Sequence, residues 1–416
     1  MERNWAGTHE YTAPWILPVA DEDDVRHAVR EAERRVHALG TRHSFTDLPD
    51  TDGTLLDLAG LTGGFLLDEG AGTVTVAAGT RYGVLAEFLE SNGYALHNLG
   101  SLPHISVGGA TATATHGSGD GNGVLTTAVR GIRWIDASGE VRETREGDPD
   151  FPALAVGLGA FGIVVAVTLA VQPTFRARQD IYVGVTWDAA LADLDAVTGA
   201  GYSVSVFTLW NEESVGFVWV KTRVESGDAD VPDTLLDGRR DHEAAPLGTA
   251  GNVTEVRGVP GPWLQRLPHF RLDAVPSFGD EIQSEYFIAR EDAPAALRAM
   301  VALGERIRPV LIVSELRTAA ADELWLSGAY RRDMLAIHFT FVNDPAGVRA
   351  VLPAIEAALA PYAARPHWAK LHTFDAERIA RVHPRLADAR EVYERLDPEG
   401  RFSNAHLERV GVRRAR

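Results

Sequence analysis

The chain has 416 residues, 45% of them apolar and 24% charged, and carries a formal net charge of −18. That length exceeds one ordinary core, so two domains are expected of what is, by composition, a folded globular protein. The charge argues against a nucleic-acid partner, which would need clustered Lys and Arg, and against an anionic membrane surface; the absence of cysteine excludes disulfides, thiolate metal sites and a cysteine nucleophile.

In chain order, residues 21–35 open on acidic side chains and place Val25, Ala28, Val29 and Ala32 at helical spacing, which predicts an amphipathic helix. A short strand over 36–39 runs into the loop Gly40-Thr41-Arg42-His43-Ser44. Residues 54–58 and 73–78 read as strands, and 82–91 as a helix closed by Asn92-Gly93. A hairpin is predicted from 132–136 and 141–144 around Ala137-Ser138-Gly139. The first half ends on a strand over 163–171 followed by Pro173. Beyond it, strands over 202–209 and 215–221 precede a polar stretch, 225–252, read as a surface excursion with little structure. Helices are predicted over 294–308 and 346–360, strands over 310–317 and 336–341, and a turn at Asp397-Pro398-Glu399-Gly400. The longest apolar run, 161–171, is about half of the roughly 20 residues needed to span a bilayer. With no charged, apolar, small-residue signal at the N-terminus, a cytoplasmic protein without a membrane partner is expected.

Three features carry chemistry. Gly157-Leu158-Gly159-Ala160-Phe161-Gly162 matches the dinucleotide fingerprint GxGxxG, but a β-branched run follows it where a helix N-terminus is required, so a nicotinamide site is not expected there. The segment Ser106 to Gly119 is different: twelve of its fourteen residues are Gly, Ala, Ser or Thr. Such a loop lets backbone approach a ligand and can hold a pyrophosphate through N–H and hydroxyl groups; a pair of tight turns explains the composition as well. Finally, of 40 basic residues only Lys221 and Lys370 are lysines, which marks both as candidates for a role that guanidinium cannot fill.

The strand patterns supply a candidate binding wall. A period of two puts Glu315 and Arg317 on one face of one strand, and His338 and Thr340 on one face of another. Two such pairs suit a ligand with a hydroxyl on every carbon, because each buried hydroxyl left unpaired costs roughly 1–3 kcal/mol. A surface ion pair plus a core histidine would give the same pattern.

Longer motifs carry a resemblance. Ala38-Leu39-Gly40-Thr41-Arg42-His43-Ser44-Phe45 resembles the flavin-attachment loop of the vanillyl-alcohol-oxidase superfamily. Asn98 to Gly109, with Ala112-Thr113-Ala114-Thr115-His116-Gly117, resembles its second pyrophosphate loop. Leu396 to Asn404 resembles the C-terminal segment of its sugar and lactone oxidases. Within that group Val259-Pro260-Gly261-Pro262-Trp263, Gln283-Ser284-Glu285-Tyr286, Arg365-Pro366-His367-Trp368 and Asn4-Trp5-Ala6-Gly7 are similar to bacterial alditol (xylitol) oxidases.

The resemblance implies an α+β fold. Its FAD-binding domain would span residues 1–175, its substrate cap 176–362, built on an antiparallel sheet, and a C-terminal segment, 363–416, would return to the FAD domain. It implies FAD bonded through His43, a link that raises the flavin potential. Gly40, Thr41, Arg42, Ser44, Ser101, Ser106, Gly109, Thr113, Ala114, Thr115, His116, Ile163 and His367 would touch the cofactor; the family more often has Gly where Arg42 stands. Ser101, Glu315, Arg317 and Thr340 would bind a polyol, with Arg317, His338 and Lys370 catalytic and no metal. Between His338, preferred as base, and Lys370, the proton acceptor stays open. The implied reaction oxidises a terminal CH2OH to the aldehyde and reduces O2 to H2O2, with small Gly100 leaving oxygen a path to the flavin; a monomer is expected. An aldonolactone oxidoreductase of the same fold and a non-enzymatic flavin-binding protein are the competing readings.

Overall fold

A computed structural model describes residues 2–211, 213–224, 231–245, 247, 251–275 and 277–415. Besides a two-stranded sheet, Tyr94–Ala95 with Gln172–Pro173, the N-terminal part carries two larger ones. One is parallel, in the order Trp15–Pro18, Thr54–Asp57, Val36–Leu39. The other is antiparallel, in the order Leu66–Asp68, Thr73–Ala77, Ile163–Ala170, Val129–Ile135, Val141–Arg145. The helix Glu22–Glu31 starts where Asp21 accepts a hydrogen bond from the Asp24 N–H, and it buries Val25 and Val29. Those side chains pack with Val36, Leu56, Ile163, Val165 and Phe402, so the expected amphipathic face joins the two sheets. Ile163–Ala170 is a strand directly after Gly162, as its β-branched run requires.

A ten-stranded sheet occupies the middle of the chain. Its main order is Thr234–Leu235, Gly238–Arg240, Arg176–Val183, Phe217–Val224, Ser203–Thr208, Leu311–Ala319, Met334–Val342, Glu281–Ala289, Arg365–Pro366, with Gly261–Pro262 pairing off that path. Strand neighbours at its centre align Phe207 with Glu315, Glu315 with His338, and His338 with Glu285. Alternation sends Leu316, Ile337 and Phe339 into the core on the opposite face. The helix Pro345–Leu359, capped by Asp344, buries Val348, Leu352, Ile355 and Leu359 in that same core.

Two expectations change. The helix over 294–308 is split into Ala293–Ala302 and Gly304–Ile307. At the break, a Cβ on Gly304 would stand 2.3 Å from the Trp210 carbonyl oxygen, so close packing onto Trp210 wins over helix continuity. The polar stretch after residue 224 also carries structure: Thr234–Leu235 and Gly238–Arg240 form a hairpin that extends the sheet through Arg239 and Arg240. Residues 225–230, 246 and 248–250 of that stretch lie outside the described residues.

The C-terminal helices Leu386–Leu396 and Ala405–Arg409 return to the N-terminal sheets. Arg413 is 1% exposed; its Nη1 donates to the Ala160 carbonyl at 2.5 Å and pairs with Asp397 at 3.1 Å. The Asn404 amide donates to the carbonyls of Leu48 and Asp50, and the Val36 N–H to that of Arg401. Among the described residues no helix is long and apolar enough to cross a membrane.

Candidate active site

One large cleft, with an empty volume of about 1760 Å³ including its open mouth, is walled by the two glycine-rich loops on one side and the central strands of the ten-stranded sheet on the other. On the first side, Arg42 adopts φ +62°, a backbone region that costs a non-glycine residue roughly 1–2 kcal/mol. Arg42 holds it with a 2.9 Å ion pair to Asp57, while its carbonyl accepts from the Trp5 N–H. Gly40 is required for the approach of the loops: a Cβ there would lie 2.8 Å from Ser106 Oγ. The Ser106 N–H in turn donates to Thr41 Oγ1.

His43 lies stacked on Trp5, with ring centroids 5.2 Å apart. Burial holds its imidazole down to about 4, His104 nearby adding to the effect, so the ring is neutral at physiological pH. Neither ring nitrogen makes a hydrogen bond of ordinary geometry among the described residues. Buried ring nitrogens left without a partner in a cleft are costly unless a ligand completes them, and a free nitrogen lone pair is what a bond to carbon requires. The donor set therefore fits a tethered cofactor. The Phe45 N–H and the Ser44 hydroxyl both donate to the Ala369 carbonyl, which ties this loop to the segment carrying His367 and Lys370.

The sheet side is polar and buried: Glu285, Glu315, Arg317, His338 and Thr340 are all nearly inaccessible. Lys370 Nζ donates to Glu285 Oε2 and to His338 Nδ1, both at 2.8 Å. Arg317 donates to Glu285 Oε1 at 3.1 Å and to Ser101 Oγ at 3.0 Å, and its Nε lies 3.4 Å from Glu315 Oε1. His116 Nε2 is 3.2 Å from Glu285 Oε1. Burial would push the Glu285 carboxyl up, but Lys370, His116 and Arg317 together hold it well below the usual range. Glu315 is likewise lowered, Arg317 and His269 outweighing burial. Burial, with Lys370 adding, brings His338 down to about 3. Burial also lowers Lys370, with Glu285 opposing. A lysine offers only donors, so His338 Nδ1 accepts; its Nε2 then carries the hydrogen and donates to Thr340 Oγ1, 3.0 Å away. The Thr340 hydroxyl hydrogen is left for a ligand.

Of the residues expected from sequence, Gly40, Thr41, Arg42, His43, Ser44, Ser101, Ser106, Gly109, Thr113, Thr115, His116, Glu315, Arg317, His338, Thr340, His367 and Lys370 all line this cleft, as does Gly100. Two do not. Ala114 is buried in the large core cluster at φ +53°, and the Ile163 side chain points into the cluster with Val25 and Val36; its neighbour Val164 lines the cleft instead. Glu285, Gln283 and His269 line it as well, although sequence reasoning gave them no role. Gln283 and Glu285 show the same alternation as Glu315 and Arg317 and were legible on that ground. His269 sits in a loop without periodicity, and only the tertiary fold brings it in.

Comparison with known proteins decides the family. A family model for an FAD binding domain matches residues 14–145, and one for D-arabinono-1,4-lactone oxidase matches residues 279–410. The alditol oxidase of a Streptomyces species is 40% identical over 97% of this chain and 97% of its own length. The chain belongs to the alditol oxidase family. It is thus an FAD-dependent oxidoreductase, and the L-gulono-1,4-lactone dehydrogenase of Mycobacterium tuberculosis is a more distant relation, at 30% identity over 98% of both chains. Among solved structures, the cholesterol oxidase of B. sterolicum superimposes with a TM-score of 0.78 at 16% identity, covering 98% of this chain and 96% of that one. This likeness is one of fold, and it covers nearly the whole of this alditol oxidase family member.

Proposed function

We propose that this chain oxidises the terminal CH2OH of alditols such as xylitol and sorbitol to the aldose, reducing O2 to H2O2, with FAD bonded covalently through His43. The observation that carries the reading is the polar wall of Glu315, Arg317, His338, Thr340 and Lys370 facing the His43 loop across one cleft. Bound FAD supplies the hydride acceptor and the electrons that reach O2. The chain's own residues do the rest. Gly40, Thr41, Arg42, Ser44, Ser106, Gly109, Thr113, Thr115, His116 and His367 hold the cofactor. Ser101, Glu315, Arg317 and Thr340 pair the polyol hydroxyls, so that none is buried without a partner.

At the reacting carbon the Lys370 ammonium orients the hydroxyl and lowers its pKa by its charge. The proton passes to the His338–Lys370 pair, which titrates as a unit because the two nitrogens share one hydrogen bond. Glu285 opposes the loss of charge that burial imposes on Lys370, and it accepts from Arg317 as well. In this reading residues 1–175 with 363–416 form the FAD domain and 176–362 the substrate cap of a monomeric cytoplasmic enzyme.

The test is a pair of assays on the purified yellow protein. Acid precipitation should leave the colour with the polypeptide, and the H43A variant should release it. Xylitol should bleach the flavin under nitrogen and yield peroxide in air. Peroxide from an aldonolactone with none from xylitol would select the lactone reading, and a flavin that no polyol bleaches would select a non-enzymatic one.

A further inference from the structure

Behind the polar wall lies a second buried constellation that the reaction as described does not use. Lys221, on the strand Phe217–Val224, is 1% exposed and lies outside the cleft lining. It shares the sheet face of Glu315: the register aligns Lys221 with Ser203, and on the same strands Phe217 with Phe207, which in turn aligns with Glu315. Its Nζ donates to the Leu267 carbonyl and lies 3.0 Å from His269 Nδ1. His269 Nε2 is 2.6 Å from Glu315 Oε1. The imidazole is stacked on Trp219 at 4.6 Å and edge-on to Phe207 at 5.4 Å, so it is clamped in the plane that this line of hydrogen bonds requires.

The polarity of the line follows from the groups. A lysine amine keeps N–H groups for both the Leu267 carbonyl and His269 Nδ1 whether or not it is charged, so Nδ1 is the acceptor. Burial, with His269 3.0 Å from Lys221, holds that imidazole down to about 4; it is neutral, and its single hydrogen sits on Nε2, aimed at Glu315. Both contacts to the Glu315 carboxylate, from His269 and from Arg317 Nε, fall on Oε1. Among the described residues Oε2 makes no hydrogen bond, and Glu315 lines the cleft. The same loop fixes Ser101, whose carbonyl accepts from the N–H groups of His269 and Phe270.

We infer that Lys221 and His269 form a positioning dyad that locks Glu315 from behind and turns Oε2 toward the substrate. The dyad thereby sets selectivity for polyol chains long enough to place a hydroxyl there. Lys221 acts only through His269 and Glu315. An arginine would not serve, because its branched head needs more room than a compact amine between the Leu267 carbonyl and the imidazole. The inference rests on the polyol reading above.

The experiment compares wild type, K221M, H269F and H269Q on xylitol and on 1,2-propanediol, which is too short to span the wall. Loss of a buried hydrogen bond to a charged group predicts a KM for xylitol raised roughly tenfold or more in K221M and H269F. For 1,2-propanediol KM should stay within about twofold, with kcat and the bound-flavin spectrum near wild type. H269Q should recover most of the loss, since its amide can still donate to Glu315. Phe fills the stacking slot on Trp219 better than Gln, so a purely structural role gives the opposite order. Wild-type KM values in K221M, equal losses on both substrates, or H269F outperforming H269Q would overturn the dyad. If K221M is recovered without flavin, the order of the two His269 variants decides. A wild type that oxidises neither alcohol removes the substrate reading itself, and the dyad's role with it.

Discussion

Replacing Glu285 by glutamine removes one charge and almost no volume from the middle of the polar wall. The carboxylate is 1% exposed and lies 2.8 Å from Lys370 Nζ, 3.1 Å from Arg317 Nη2 and 3.2 Å from His116 Nε2. At 2.8 Å and an effective dielectric of about 20, the pair with Lys370 is worth roughly 6 kcal/mol, or about four pKa units. Arg317 has Glu315 as a second partner, and side-chain relaxation recovers part of the remainder, so a fall of about two units in the Lys370 pKa is the conservative expectation. The sign is definite: burial already lowers this ammonium, and Glu285 is the chief group opposing it. Activity that needs charged Lys370 is present below its pKa and lost above it. In E285Q the alkaline limb of anaerobic flavin reduction by xylitol should therefore move about two units toward acid, and where both proteins lie on the falling limb the variant should be slower on the order of 100-fold. Stopped-flow absorbance across pH gives both numbers, and flavin content of the variant reports on folding. An alkaline limb within half a unit of wild type, with a rate within about threefold, would refute the electrostatic role assigned to Glu285.

Two further outcomes follow from the structure. A Cβ on Gly100 meets Ile105 Cδ1 at 3.6 Å and the His116 carbonyl and Thr115 Cγ2 at 3.8 Å, which is ordinary contact, so G100A should fold and narrow only the cleft. Its reduction by xylitol should stay within about threefold while reoxidation by O2 slows about tenfold or more, a barrier change near 1.4 kcal/mol; equal reoxidation rates in the two proteins would remove Gly100 from the oxygen path. Stability should fall steeply on mild acidification. Burial holds His37 and His269 to about 4 and His338 and His372 to about 3, whereas the unfolded chain protonates near 6.5. Their contribution is fully present above that value and disappears as pH falls toward 4, on the order of 3 kcal/mol for a single site, less where neighbouring sites interact. Calorimetry between pH 7.5 and 4.5 should show the midpoint dropping by many degrees; a flat profile would contradict neutral, buried imidazoles.

Much of this was legible in the chain because local and global signals agree. Helix Tyr82–Ser91 has the bounds that the Asn92-Gly93 stop predicts, and the period-two pairs at 315/317 and 338/340 do face one cleft. What escaped was set by contacts distant in sequence. The break at Gly304 answers to the Trp210 carbonyl, and the hairpin after Thr234 forms because Tyr182 and Val183 offer an edge for Arg239 and Arg240. The resemblance points Ile163 at the cofactor, yet alternation hands that direction to Val164. His269 lies in a loop whose path is fixed by Ser101 and Thr254, and no pattern within the loop announces its aim at Glu315.

The return of the C-terminal segment governs how the molecule is made. Just beyond the loop that carries His43, the carbonyls of Leu48 and Asp50 accept from Asn404, and on the strand leading into that loop the Val36 N–H donates to Arg401. Arg413 closes the same seam from the far end of the chain. During synthesis the first 175 residues emerge with these acceptors unmet and with apolar faces awaiting helices not yet translated. Contacts of such sequence separation make folding slow and leave early species prone to aggregation. A nascent chain stalled before Leu386 lacks both the Asn404 amide that meets the Leu48 and Asp50 carbonyls and the Arg401 carbonyl that meets the Val36 N–H.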